Sequence, residues 1–377
     1  TQSEKSPPGV QNKSMKILQV FPGKVWGGAE QYILDLGNAL ENHGHEVIYV
    51  CRDSGTVTSR LRAAGKRFTP LPFSWSLDRK SIRQLAEIIR NSGADVVNIH
   101  STRMVPVAIL ANRLAGNSAR VILTHHEAHR TPANPFFRHL FRKLDRIVFV
   151  SGMSRKCWHS ANKWFPDEKC TVVHNSIPPF VPSADTESLR EKYSIAPETP
   201  LLIFSGRVRE SKGCGDIIRA LAMLADRKFA LVFIGSCHPQ DYSQRLKTLA
   251  TEAGIVDRVH FYGFSAEARQ LMSQADIGLS PSIVRDSFLL SNIEFQQNGV
   301  CIITTDNGGQ PEYVTDRVTG LLVSPRNPAQ LAEAIDLLLT DVALRKRMGE
   351  AGKKYFNDNL SYKQFIPRIL SVYSGMA

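Results

Sequence analysis

The sequence predicts two doubly wound α/β domains, each a parallel sheet with helices on both faces. Short apolar runs rich in β-branched residues alternate with helical patterns from Lys16 onward, the signature of a covered parallel sheet. The alternation breaks once, around "HNSIPPFVPSADTES" (174–188), where three prolines and a polar run mark a linker, and then restarts. A length of 377 residues suits two domains better than one.

Taken in order, the first fifteen residues, "TQSEKSPPGVQNKSM", are polar and lack the apolar stretch of a signal peptide. They read as a disordered lead-in or an expression remnant, with the fold starting at Lys16. "KILQVF" is a buried strand, and "PGKVWGGAE" its Gly-containing exit turn. "EQYILDLGNALENHG" carries Tyr32, Ile33, Leu36 and Leu40 at helical spacing and stops at Gly44. "HEVIYVC", "ADVVNIH", "ARVILTH" and "DRIVFVS" are further strands. After the linker come "PLLIFSG", "FALVFIGS", "RVHFYGF", "ADIGLSPS" and "VCIITTD". The expected organisation is a first domain over 16–182, a second over 183–357, and a terminal helix over 358–377. That helix, in "SYKQFIPRILSVYSG", has Phe365, Ile366, Ile369, Leu370 and Tyr373 on one stripe and is expected to pack back toward the first domain. Ligands of such sheets bind outside the carboxyl ends of the strands, so two facing sheets would share one cleft.

Hydrophobic content of 42% and charged content of 22% are ordinary for a globular chain. No apolar run approaches the 18 or so residues of a spanning helix. The six cysteines (51, 157, 170, 214, 237 and 301) form no C-x-x-C pair, so neither a zinc site nor a disulfide framework is expected. The net charge of +12 is uneven. Residues 1–182 hold 25 Lys+Arg against 13 Asp+Glu, and the remaining 22 of each balance in 183–377. The first half should therefore meet something anionic: nucleic acid, phospholipid or a phosphorylated substrate. Because the chain carries no nucleic-acid recognition motif, no nucleic-acid partner is expected.

Five stretches carry candidate chemistry. In "SGRVRESKG" (205–213), Gly206 allows a tight strand exit, and Arg207 and Lys212 can both reach the mouth of the site. A helix start flanked by two cations suits a diphosphate, and the alternative is a solvated polar loop. In "WGGAE" (26–30), Gly27 and Gly28 can bring backbone N–H groups close to a ligand. The pattern is not G-x-G-x-x-G, and Cys51 and Arg52 stand where a ribose-binding acid would be, which argues against NAD. "THHEAH" (124–129) groups His125, His126, Glu127 and His129. Adjacent residues at a strand end point apart, so one histidine on substrate is favoured over a metal site. "NPFFRHLFRKLDR" (134–146) reads either as an amphipathic helix packed on the sheet or as one lying on an anionic membrane surface.

The fifth stretch is "VRDSFLLSNIEF" (284–295). Asp286 falls in a loop and Glu294 about two turns into the helix read from Ser287. The amides of Phe288, Leu289 and Leu290 then lie at the helix start, where they can face an anion. A nucleotide sugar has the matching layout of sugar, diphosphate and ribose. The alternative is an acid that favours the helix dipole together with a solvated Glu.

Together these pieces resemble the retaining glycosyltransferases of family 4, which have the GT-B fold. The likeness rests on Gly27, Gly28 and Glu30; on Gly206, Arg207, Lys212 and Gly213; and on "FYGF", "LMSQADIGLSPS", the acid-x7-acid segment and "GGQPEYVTDRVTGLLV", in that order over nearly all of 16–377. The resemblance implies that Arg207 and Lys212 neutralise the leaving diphosphate, Glu294 holds the ribose hydroxyls and Asp286 those of the donor sugar. It places the nucleobase near Gly263 and Phe264, Gly27 and Gly28 near the phosphate and reacting centre, and His126 near the donor sugar. It implies no metal and no cofactor beyond the nucleotide-sugar co-substrate. The chain departs from the pattern at Asp286, where Glu is usual, and at Leu289, where Gly usually follows the Phe. The implied activity is transfer of a sugar, from a UDP-linked donor in preference to a GDP-linked one, to a lipopolysaccharide core or another anionic surface glycan. The implied location is the cytoplasm, at the inner face of the plasma membrane. The alternatives are a nucleotide-sugar 2-epimerase of the same fold and a non-catalytic sugar-nucleotide or lipid-binding homologue.

Overall fold

The computed structural model describes residues 14–23, 26–75, 77–126, 134–183 and 185–376. All but two residues of the polar lead-in lie outside them, as do Glu127 and His129. The first sheet is built from β1 (Lys16–Phe21), β2 (Glu46–Arg52), β3 (Phe68–Leu71), β4 (Val96–Ile99), β5 (Arg120–His125), β6 (Arg146–Phe149) and β7 (Cys170–Val172). Its strand order is β3-β2-β1-β4-β5-β6-β7. The helices along this stretch are α1 (Gly28–Asn42), α2 (Gly55–Ala63), α3 (Arg79–Ser92), α4 (Val105–Leu114), α5 (Pro135–Phe141) and α6 (Gly152–Ala161). The predicted stop of α1 is real: Gly44 adopts φ +83°, and its N–H closes the helix onto the Glu41 carbonyl at 2.9 Å.

The second sheet holds β8 (Leu201–Ser205), β9 (Ala230–Ile234), β10 (Val259–Gly263), β11 (Ile277–Ser280), β12 (Cys301–Thr305) and β13 (Leu321–Val323), in the order β10-β9-β8-β11-β12-β13. Around it run α7 (Leu189–Lys192), α8 (Cys214–Ala222), α9 (Tyr242–Glu252), α10 (Ala268–Met272), α11 (Leu290–Gln297), α12 (Pro328–Thr340), α13 (Val342–Tyr355) and α14 (Tyr362–Ser374). Compactness divides the described chain into 14–124 with 134–147, and 125–126 with 148–376.

Strand pairs such as β1–β2, β4–β5, β8–β9 and β11–β12 are parallel, and in the second sheet both faces are buried. Leu202 and Phe204 of β8 enter one apolar cluster with Ile217 and Leu221 of α8, while Leu201 and Ile203 enter another with Phe295 of α11. This is the two-residue period of a strand with apolar cover on each side. Fully burying each such side chain contributes about 1.5–3 kcal/mol. The helix that matters most sits flush on the sheet: a Cβ on Gly278 of β11 would come within 2.6 Å of the Phe295 ring, so glycine is what admits α11 at that depth.

Two details differ from expectation. The sequence reading has a helix from Ser287, whereas α11 starts at Leu290, because Asp286 is spent on an extended bridge to Gly308. Strands β3, β7 and β13 were not anticipated, and all three are edge strands of only 4, 3 and 3 residues. The stripe Phe365, Ile366, Ile369, Leu370 and Tyr373 of α14 is buried as read. Just before α14, the Leu360 carbonyl accepts from the Ser176 hydroxyl of the linker region.

Candidate functional site

β8 and β11 are adjacent parallel strands, so the loops leaving their carboxyl ends are neighbours from the start. The loop after β8 is held by close backbone approaches. Gly206 has φ +147°, and a Cβ on Gly235 would lie 1.9 Å from the Gly206 carbonyl oxygen. Val208 N–H donates to Ser236 O at 2.9 Å, and its own carbonyl accepts from His238 N–H at 2.9 Å. Gly213, at φ +74°, presses on the loop after β11: a Cβ there would lie 1.9 Å from the Pro281 carbonyl oxygen. Ile283 N–H donates to Ser211 O at 3.1 Å. These contacts deliver Lys212 onto Asp286.

The Lys212 ammonium donates to both carboxylate oxygens of Asp286 at 2.8 Å, and the Ser282 hydroxyl donates to Asp286 Oδ2 at 2.5 Å. The two charged side chains keep 17% and 22% of their surface exposed, so the pair is shielded but within reach of a ligand. Charge-assisted bonds of this kind are about twice as strong as neutral ones. Two residues that the sequence reading gave to separate parts of a ligand are thus bonded to each other. Arg207, in the same loop as Lys212, is exposed.

Asp286 is fixed through its main chain as well. Gly309 N–H donates to Asp286 O at 3.0 Å, and Cβ atoms on Gly308 and Gly309 would lie 2.4 and 2.1 Å from the carbonyl oxygens of Asp286 and Ser287. Phe288 packs its ring on Tyr313 at 4.4 Å between centroids, with His174 at 5.9 Å. Leu289 N–H donates to the Tyr313 hydroxyl at 3.1 Å. Burial pushes the Tyr313 phenol well above its usual range, so it stays protonated. This corrects one expectation, since the Leu289 amide already has a partner. Leu290 opens α11, whose first turn has N–H groups without helical partners.

Glu294 lies in the middle of α11, and its Oε1 accepts from Arg269 Nε of α10 at 2.9 Å, with 17% and 20% of the two side chains exposed. Gly263 ends β10 at φ +86°, its carbonyl accepting from Gly235 N–H at 2.7 Å, and the next residue, Phe264, is 60% exposed. Gly27 caps α1 in extended conformation and Gly28 is that helix's first residue, both in the first compact unit. His126 follows β5 directly; burial, helped by neighbouring His125, pulls its imidazole down to about 3, so the ring is neutral at pH 7.

The structure therefore joins Lys212 and Asp286 directly and sets Phe288, Leu289 and Leu290 in the same segment. Arg207 shares the loop after β8 with Lys212; Gly263 and Phe264 lie at the exit of β10, two strands away in the same sheet, and Glu294 has its own cation. Sequence reasoning missed that cation, Arg269, as well as Ser282 and Tyr313. The paired glycines of "GGQPEY" were a visible signal for the close backbone approach, but nothing in "SAEARQLM" marked Arg269.

Comparison with known proteins shows the family and the fold. The model of Glycosyltransferase Family 4 matches residues 26–179, and that of Glycosyl transferases group 1 matches 185–355. A GDP-mannose-dependent alpha-(1-6)-phosphatidylinositol monomannoside mannosyltransferase of Mycobacterium tuberculosis is 28% identical over 377 residues, spanning 91% of this chain and 93% of the relative. A glycosyltransferase structure from Rickettsia africae aligns at TM-score 0.85 and 23% identity, covering 96% of this chain and 98% of its own. The Anabaena HepE structure in complex with UDP-glucose aligns at TM-score 0.82 and 19% identity, over 96% and 100%. Matched on both sides of its linker by models of one enzyme class, the chain belongs to the family 4 glycosyltransferases of GT-B fold and is an enzyme of the hexosyltransferase type.

Proposed function

We propose that this enzyme is a retaining, metal-independent transferase that takes a UDP-sugar at the carboxyl edge of the second sheet. Its acceptor is an anionic surface glycan or glycolipid of the lipopolysaccharide-core kind. The observation that carries the donor site is the convergence of Lys212 and Asp286 on adjacent strand exits, at 2.8 Å and shielded but reachable. A diphosphate draws Lys212 from Asp286, and Asp286 turns to the sugar hydroxyls. Arg207 adds a second cation to the leaving group. Glu294, steadied by Arg269, accepts from the ribose hydroxyls, and Phe264 offers an exposed ring to the nucleobase. The anomeric carbon–oxygen bond to the diphosphate breaks while the acceptor oxygen bonds the same carbon from the same face. The acceptor's hydroxyl proton passes to the departing phosphate oxygen. The charge that accumulates is stabilised by side-chain cations and the α11 amides. A bound UDP-glucose in the HepE structure supports the choice of nucleotide.

The acceptor reading rests on charge. All twelve excess positive charges fall in residues 1–182, and Phe136 of α5 is 49% exposed among Arg138, Arg142 and Lys143. No helix among the described residues is long and apolar enough to cross a membrane. The uneven positive charge supports a location at the anionic inner face of the plasma membrane. The test incubates purified protein with UDP- and GDP-sugars, with and without lipopolysaccharide-core acceptor, and measures freed nucleoside diphosphate. Release from a UDP-sugar that rises with acceptor is the expected result. Silence with every donor, or isomerisation of the donor without acceptor, overturns the reading.

A further inference from the structure

The segment "GGQPEY" (308–313) is more tightly anchored than a surface turn requires, and the anchor is a carboxylate. Glu312 Oε2 accepts from Gly152 N–H at 2.7 Å, its Oε1 from Met153 N–H at 2.6 Å, and Oε2 also meets His174 Nε2 at 2.9 Å. Gly152 and Met153 are the first two residues of α6, a helix of 10 residues. The capping side chain of Ser151 takes the Ser154 amide at 3.1 Å and leaves those two amides to Glu312. An acid at a helix start is favoured by the dipole and by the otherwise unpaired N–H groups. Burial alone would raise the Glu312 pKa, but the bonds from His174, Gly152 and Met153 outweigh it and hold the carboxylate below its usual range. A side chain on Gly152 would begin 3.3 Å from Glu312 Oε2, so glycine there leaves the approach open.

The other end of the same short segment grips the donor loop. Gly308 and Gly309 bridge the main chain of Asp286, and Tyr313 takes the Leu289 amide and packs under Phe288. Phe288 in turn faces His174, the ring bonded to Glu312. The chain 308–313 is thus a short splint with one end on α6 and the other on Asp286 and the start of α11. We propose that Glu312 is a positioning residue for sugar transfer, fixing the splint on α6 so that Asp286 and the α11 amides stand in register with Lys212. The inference rests on the reading of Asp286 and α11 as the donor site. Glu294 lies further along the helix with a cation of its own, so the splint acts on the sugar and phosphate end of the donor.

The test uses Glu312→Gln in the full chain. A Gln matches the shape but turns an N–H pair toward at least one of the three donors. Expected is a kcat at least tenfold lower with donor KM within threefold of wild type, and amide hydrogen exchange over 286–292 at least tenfold faster. Ile335→Val, in the buried core of α12, serves as a variant that lowers thermal stability without touching the splint, and its kcat and exchange over 286–292 should match wild type. If Glu312→Gln loses stability as Ile335→Val does, with kcat and exchange unchanged, the carboxylate only secures the fold and the proposal is wrong. Should wild type turn over no nucleotide sugar, the donor reading fails, and the exchange measurement alone still decides whether Glu312 holds the splint.

Discussion

Lys212–Asp286 and Arg269–Glu294 look alike on paper. Each joins a cation to one acid of the same acid-x7-acid segment, at 2.8 and 2.9 Å, with about a fifth of each side chain exposed. Their supports differ. Lys212 and Asp286 come from two loops at the exits of adjacent strands, clamped by glycines that tolerate no side chain. Arg269 and Glu294 come from two helices, α10 and α11. A loop pair aimed at the sheet's carboxyl edge can give up one partner to a ligand. A helix pair offers the ligand a carboxylate already oriented by its cation. The difference teaches that equal geometry can serve exchange in one place and orientation in another, and kinetics should separate them.

The sharpest break is Lys212→Ala. Losing a cation aimed at the leaving group should lower kcat by about 10²–10³, the range for a lost transition-state donor, read as nucleoside diphosphate released under saturating donor. It should also destabilise the fold by about 1–3 kcal/mol, because Asp286 keeps its burial and loses its charged donor. A double-mutant cycle with Asp286→Ala in denaturant should show coupling of at least about 0.5 kcal/mol. Next is Arg207→Ala. Arg207 is exposed, so turnover should fall about tenfold or more while stability stays within about 0.5 kcal/mol of wild type. A matching loss of stability would place Arg207 in the fold and not at the ligand. Arg269→Ala sharpens the contrast. It should raise donor KM about tenfold, near 1.4 kcal/mol, with kcat nearly unchanged, the sign of binding shared by ground and transition states.

At neutral pH the smallest effect is a pH dependence outside both pairs, which emerges only on acidification. His126 is neutral when folded down to about 3 and titrates near 6.5 when unfolded. Above pH 6.5 it is neutral in both states and contributes no slope. As pH falls through 6.5 toward 3 the unfolded chain binds the extra proton, so stability declines. His126→Gln should flatten that part of a denaturant midpoint-against-pH profile, and an unchanged slope would show the ring to be freely solvated.

Much of this was legible in the sequence for a definite reason. Central parallel strands are apolar on both faces, so "KILQVF" and "PLLIFSG" stand out. The edge strands β3, β7 and β13 bury less and are too short to show a period. Lys212 and Asp286 were visible because their loops follow recognisable strands, and Glu294 because its helix comes directly after the second of those loops. Their mutual wiring was not, because a bond between residues 212 and 286 depends on which strands are neighbours, and spacing along the chain does not encode that. Arg269 was hidden in a polar helix where any exposed cation reads the same. The start of α11 was misread because "SFLL" is consistent with a helix, and only the distant Gly308 withdraws Asp286 and Ser287 from it.

The bonded Lys212 and Asp286 carry a consequence for selectivity. On the donor reading proposed above, the Lys212–Asp286 bonds are exchanged for ligand contacts, so the donor would enter by substitution. A free phosphate or pyrophosphate that captured Lys212 would leave a shielded carboxylate with the Ser282 hydroxyl as its remaining side-chain donor among the described residues. A nucleotide sugar brings both the anion that takes the ammonium and the hydroxyls that answer the acid. On that reading the site would be biased against bare anions, a rejection built from the cost of an orphaned charge and not from shape.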